Sequence, residues 1–117
     1  MKKLSIVQSR FLMVVAVLLV IVSTLNSCTK NSDMPGANEV FIQGNAFSPG
    51  TITVTANTTV TWTNKDGVAH TVTSNTGLFD SGTMNANETY SHLFATAGSY
   101  PYFCSVHPSM KGTVAVQ

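Results

Sequence analysis

Tyr102-Phe103-Cys104-Ser105-Val106-His107-Pro108-Ser109-Met110-Lys111-Gly112 is the stretch on which the reading of this chain turns. It sets a thiol, an imidazole and a thioether three residues apart, at Cys104, His107 and Met110. All three are soft or borderline metal donors. As a set they suit copper, because sulfur favours Cu(I) and imidazole accepts both copper states. The aromatic run before Cys104 reads as a strand, so the thiol sits at a rigid strand end. Pro108 stiffens the short turn between His107 and Met110.

A fourth donor must come from elsewhere in the chain. His70 supplies it, lying between the turn Lys65 to Gly67 and the β-rich run His70 to Ser74. Two imidazoles, one thiolate and one thioether make the trigonal set with a weak axial ligand that belongs to blue-copper electron transfer. Each residue alone has a plainer reading. A lone buried Cys at a strand end is usually structural, a lone His in a β-protein is usually surface or core, and a lone Met is filler. The joint spacing is what favours ligation. His92, the third histidine, shares parity with Tyr90 and Phe94 and is expected to be partly buried with an ordinary hydrogen bond. Met84 is expected in the core, and Asp66, Asp80 and Glu88 on the solvated surface.

Outward from the site, the pattern has period two. Val40 to Gln43, Thr51 to Val54, Thr59 to Asn64, Thr89 to Phe94, Ser99 to Phe103 and Thr113 to Val116 read as short strands. Ile52 and Val54 share a face, as do Val60 and Trp62, and Val114 and Val116. Turn residues separate the runs at Gly44-Asn45, Pro49-Gly50, Ala56-Asn57, Asp66-Gly67, Asn75 to Gly77 and Ala97-Gly98. Short strands so spaced predict an all-β sandwich with Trp62 as core anchor.

The N-terminus reads differently. Lys2, Lys3 and Arg10 precede the apolar run Phe11 to Val22, which is short for a membrane span. With Leu25-Asn26-Ser27-Cys28 after it, this is a secretory signal peptide over residues 1–27. The site resembles a bacterial lipobox, which would place a lipid on Cys28; an uncleaved anchor, or cleavage without a lipid, are the alternatives. Residues 28–38, polar with Pro35 and Gly36, read as a flexible tether, and 39–117 as the folded domain. A Cys28–Cys104 disulfide is disfavoured, since each thiol has its own use. The 117-residue chain has formal charge +1. After cleavage three lysines face five acids, with no basic cluster, which argues against a nucleic-acid partner.

Residues 39–117 resemble the plastocyanin/azurin (cupredoxin) family. Phe47-Ser48-Pro49, Ile52, Val54, Val60, Trp62, Asn64 and His70 match its first half. Phe79-Asp80-Ser81-Gly82, Glu88-Thr89-Tyr90, Phe94, Ala97-Gly98, Tyr100, Tyr102, Cys104, His107, Met110 and Gly112 match its second. The two-residue gaps on either side of His107 are closest to amicyanin. The resemblance implies an eight-stranded Greek-key β-sandwich, one copper ion at one end, and His107 as the ligand nearest the surface. Thr71 stands where the family usually has an Asn that ties the two ligand loops, and its hydroxyl can take over part of that bonding. Asn57 replaces a common turn Gly and is the next best residue for a left-handed backbone. Ala69 replaces a Pro sometimes found before the first His.

These features point to a one-electron carrier, exported and lipid-anchored at the periplasmic or extracellular face of a membrane. It would be a monomer that docks redox proteins near His107 and has no small-molecule substrate. Four protein ligands leave no open position for catalysis. The alternatives are a copper storage or delivery protein and an electron-donor module of a larger copper enzyme. The first would favour an open, Met-rich site, and the second needs more histidines than three.

Overall fold

The structure, a computed structural model, describes residues 34–117. Cys28, the signal segment 1–27 and the first part of the tether lie outside the described residues.

Eight strands run in chain order: β1 (Glu39–Ile42), β2 (Phe47–Ser48), β3 (Thr51–Val54), β4 (Thr58–Asn64), β5 (Thr73–Ser74), β6 (Thr89–Phe94), β7 (Gly98–Phe103) and β8 (Lys111–Val116). They form two four-stranded sheets, β2-β1-β4-β6 and β3-β8-β7-β5. Only β1–β2 and β7–β8 are hairpins within a sheet; every other connection between consecutive strands passes from one sheet to the other. Two pairings, β1 with β4 and β3 with β8, are parallel. This is the expected sandwich.

The alternation read in the sequence sets which side chains face inward. Burial alternates strictly along β3 and β8 and along the inward positions of β4, so Ile52, Val54, Val60, Trp62, Val114 and Val116 are all buried. Trp62 is fully buried and meets Phe79, Tyr90, Phe94 and Tyr102, with ring centroids 5.5–6.3 Å away. In β1 the alternation fails. Phe41 is buried as well, and the Lys65 ammonium lies 4.7 Å from its ring centroid.

Tyr102 is wedged edge-on between Phe47 and Trp62. Burial pushes its phenol up to about 12, and the Trp62 indole, which faces it without reaching hydrogen-bond geometry, only partly offsets that push. Its ring also presses on the backbone of Gly112, where a Cβ would come within 3.0 Å of three ring and hydroxyl atoms. Asn57 adopts φ +65°, as its place in the turn requires.

Two local expectations are revised. Phe47–Ser48 is a strand that its two-residue length hid. The run His70 to Ser74 is strand only at Thr73–Ser74. Its earlier N–H groups are diverted: that of Thr71 to Cys104 Sγ, that of Val72 to Ser81 Oγ, and that of His70 to the Met84 carbonyl. The diversion ends the ladder and releases His70 toward the β7–β8 loop.

Candidate metal centre

Cys104 follows the last residue of β7, and Met110 precedes the first of β8. The hairpin loop between them is pinned across its neck. Cys104 N–H donates to the Met110 carbonyl (3.1 Å), and Met110 N–H to the His107 carbonyl (2.9 Å). His70 arrives from the other ligand-bearing loop, held by reciprocal backbone bonds with Met84 of 3.1 and 2.8 Å. Met84 is thus both core residue and backbone clamp.

The donors converge. His70 Nδ1 lies 3.7 Å from Cys104 Sγ, His107 Nδ1 lies 3.9 Å from the same sulfur, and the two Nδ1 atoms are 3.2 Å apart. A point equidistant from all three is about 2.1 Å from each, which is the bond range of a first-row metal to imidazole and slightly short of that to thiolate. The triangle therefore fits a single trigonally held ion. His70 and Cys104 are wholly buried, Met110 is buried, and His107 is half-buried. Met110 is brought to the same loop neck by its backbone.

A shell of hydrogen bonds fixes these donors. Thr71 N–H points at Cys104 Sγ from 3.3 Å. Thr71 Oγ1 accepts Ser105 N–H at 2.8 Å and lies 3.0 Å from Ser105 Oγ and 2.9 Å from Thr73 Oγ1. The threonine thus ties the two ligand loops, with the hydroxyl taking the bonding anticipated for it. Asn64, fully buried, donates from Nδ2 to the carbonyls of Val68 (2.8 Å) and Met84 (3.0 Å) and accepts Asp66 N–H at Oδ1 (2.9 Å). It holds the turn that leads into His70.

Asp66 corrects the sequence reading. Asp80 and Glu88 are exposed as expected, but Asp66 is half-buried, with its Oδ2 2.9 Å from His70 Nε2. Burial works against its charge, yet the backbone N–H groups of Asn45 and Gly44 and the His70 ring outweigh that and hold its carboxyl below the ordinary range. His92 is also revised. It is half-buried as expected, but among the described residues its partners are aromatic rings, Phe79 tilted against it and Phe94 edge-on, both centroids at 4.9 Å. Burial lowers its pKa. Neither arrangement has a sequence signal. Asp66 and His70 are four apart in a turn, where that spacing implies no contact.

Comparison with known proteins gives a consistent picture. The cupredoxin-like domain model matches residues 12–116. Amicyanin-alpha of Methylorubrum extorquens is 34% identical over 87 residues, covering 70% of this chain and 73% of that protein. Plastocyanin of Scenedesmus fuscus is 39% identical over 84 residues, 61% of this chain and 86% of that one. Among solved structures, a purple cupredoxin from Nitrosopumilus maritimus superposes with TM-score 0.63 at 33% identity, covering 68% of this chain and 98% of that one.

Proposed function

This chain belongs to the cupredoxin-like domain family, and we propose on that premise that it is a type 1 copper protein that carries single electrons between redox proteins. The observation that carries the reading is the closed triangle of two Nδ1 atoms and one Sγ. In this proposal His70, Cys104 and His107 hold the ion, and Met110 is the weak axial ligand. Bound there, copper supplies the one-electron couple. The protein's part is to hold the donors still. The loop-neck bonds, the Thr71 tie and the Asn64 turn leave the donors little freedom, so oxidised and reduced ions would meet the same cage. Full protein ligation leaves no place for a substrate, which supports a carrier over an enzyme.

His107 is the donor nearest solvent. Val106 beside it and Val68 on the other ligand loop are both about half exposed, at 51% and 52%, and Pro108 is exposed. These exposed, uncharged residues on the two ligand loops support weak, rapid docking of a redox partner there. The domain would be exported by the signal peptide 1–27 and anchored through a lipid on Cys28, with residues 28–38 as tether. Metabolic labelling with a radiolabelled fatty acid tests this; a label retained by Cys28→Ser would sink it.

The function is tested by adding Cu(II) to the purified domain and recording its visible spectrum. An intense thiolate-to-copper band, lost in Cys104→Ser, is the expected result. No such band, or one that survives that substitution, refutes the reading.

A further inference from the structure

We propose that Asp66 is a positioning residue for His70, fixing which imidazole nitrogen faces the donor triangle and stabilising the more highly charged state of the ion held there. The proposal deepens the copper-carrier reading and rests on it. A neutral imidazole has one N–H and one lone pair, and the partner of one nitrogen decides the other's role. The His70 ring is wholly buried, so water cannot make that choice. Its Nε2 meets Asp66 Oδ2 at 2.9 Å. An ionised carboxylate only accepts, so Nε2 carries the hydrogen and the lone pair is on Nδ1. That is the atom 3.7 Å from Cys104 Sγ and 3.2 Å from His107 Nδ1.

The carboxylate is itself held. Gly44 N–H donates to Oδ1 at 2.7 Å and Asn45 N–H to Oδ2 at 3.0 Å. Both residues have left-handed backbone, φ +63° and +56°, and together they present successive N–H groups to one anion. Asp66 N–H is fixed in turn on Asn64 Oδ1. The β1–β2 turn, more than twenty residues upstream, therefore orients a metal donor through one aspartate. A carboxylate behind a ligating histidine fixes its ring and raises its basicity, and losing such a partner typically costs 10–100-fold in metal affinity. Its negative charge favours Cu(II) over Cu(I), because the higher charge gains more from it.

Two substitutions separate the hydrogen bond from the charge. Asp66→Asn keeps size and one acceptor oxygen but loses the charge; Asp66→Ala loses both. Nitrogen-15 NMR of the metal-free domain reads the His70 tautomer directly. Wild type should show Nε2–H alone, and Asp66→Ala a mixture. With copper bound, Asp66→Asn should favour Cu(I) by roughly tenfold, a rise of about 59 mV in midpoint potential. Glu39→Gln, at the opposite end of β1, controls for the same change in net charge and should leave the potential unchanged. An unaltered tautomer in Asp66→Ala, or a potential in Asp66→Asn equal to wild type, overturns the proposal. If Asp66→Ala does not fold, the potential of Asp66→Asn decides. A wild-type domain that fails to bind copper would instead overturn the carrier reading, and the tautomer measurement would still judge Asp66.

Discussion

Gly112→Ala adds one methyl group to the second residue of β8, and the fold has no room for it. The backbone there is ordinary strand, so an alanine meets no conformational penalty. In an open strand the change would stabilise by about 0.5–1 kcal/mol, since glycine loses more freedom on folding. Here the new Cβ would lie within 3.0 Å of Tyr102 Cζ, Oη and Cε2. The Tyr102 ring cannot retreat, because Phe47 stands 4.7 Å away and Trp62 5.5 Å away, ring centre to ring centre. Overpacking of this kind costs about 1–3 kcal/mol, and the rigid aromatic backing places this case near the top of that range. For a domain this size each kcal/mol lowers Tm by about 4–8 °C, so a fall of roughly 10–20 °C is expected. Urea titration of the metal-free domain, followed by the fluorescence of its single tryptophan, measures the loss. The decisive comparison is a Tyr102→Leu background. That substitution alone costs about 2–3 kcal/mol, but it removes the ring that the methyl strikes. Gly112→Ala should then cost less than about 0.5 kcal/mol, giving a coupling of roughly 2 kcal/mol. A neutral Gly112→Ala, or the same loss in both backgrounds, refutes the steric argument.

Thr71→Val should destabilise the metal-free domain by about 1–3 kcal/mol, because Ser105 N–H loses its acceptor in a part-buried site, whereas Thr71→Ser should be close to neutral; urea midpoints decide. Asn64→Ala should cost about 2–3 kcal/mol, since it strips the buried Met84 carbonyl and Asp66 N–H of partners, and amide exchange at Asp66 should quicken in hydrogen-exchange NMR. His92 has a folded-state pKa below its ordinary value, so the unfolded chain binds the extra proton first. Its contribution is present above about pH 6.5 and is lost as pH falls through the folded value. The pH dependence of the urea midpoint between 5 and 7.5 should be shallower in His92→Gln than in wild type.

The parts of this fold that sequence displays are those governed by a local period. Ile52 with Val54, Val60 with Trp62 and Val114 with Val116 are buried because alternate residues share a sheet face. Asn57 was readable because a left-handed turn position admits few residues. The candidate donors Cys104, His107 and Met110 stand out in the sequence because one short loop carries them, and His70 because the set calls for a fourth ligand; the structure brings His70, Cys104 and His107 together. What stayed hidden depends on contacts between distant segments. Asp66 acquires its role only when Gly44 and Asn45 arrive from the β1–β2 turn. Strand β2 is too short to show a period. His70 to Ser74 has strand composition, but side-chain acceptors claim the N–H groups of Thr71 and Val72. The Gly112–Tyr102 contact joins neighbouring strands at a position where glycine otherwise looks like a defect.

His70 and His107 differ in what they can reach: the first ring is sealed behind a carboxylate, and the second is half-buried, with exposed Val106 and Pro108 on either side of it in the chain. With the His107 edge as the electron's exit, two copies of this protein would exchange charge by meeting edge to edge. Each would present the same patch, related by a two-fold axis between the imidazoles. Val106 and Pro108 carry no charge, so such encounters would gain little from electrostatics and depend weakly on ionic strength. At high density, carriers built this way would pass electrons among their own kind as well as to other partners. The population would then behave as a conducting layer rather than as a set of separate couriers.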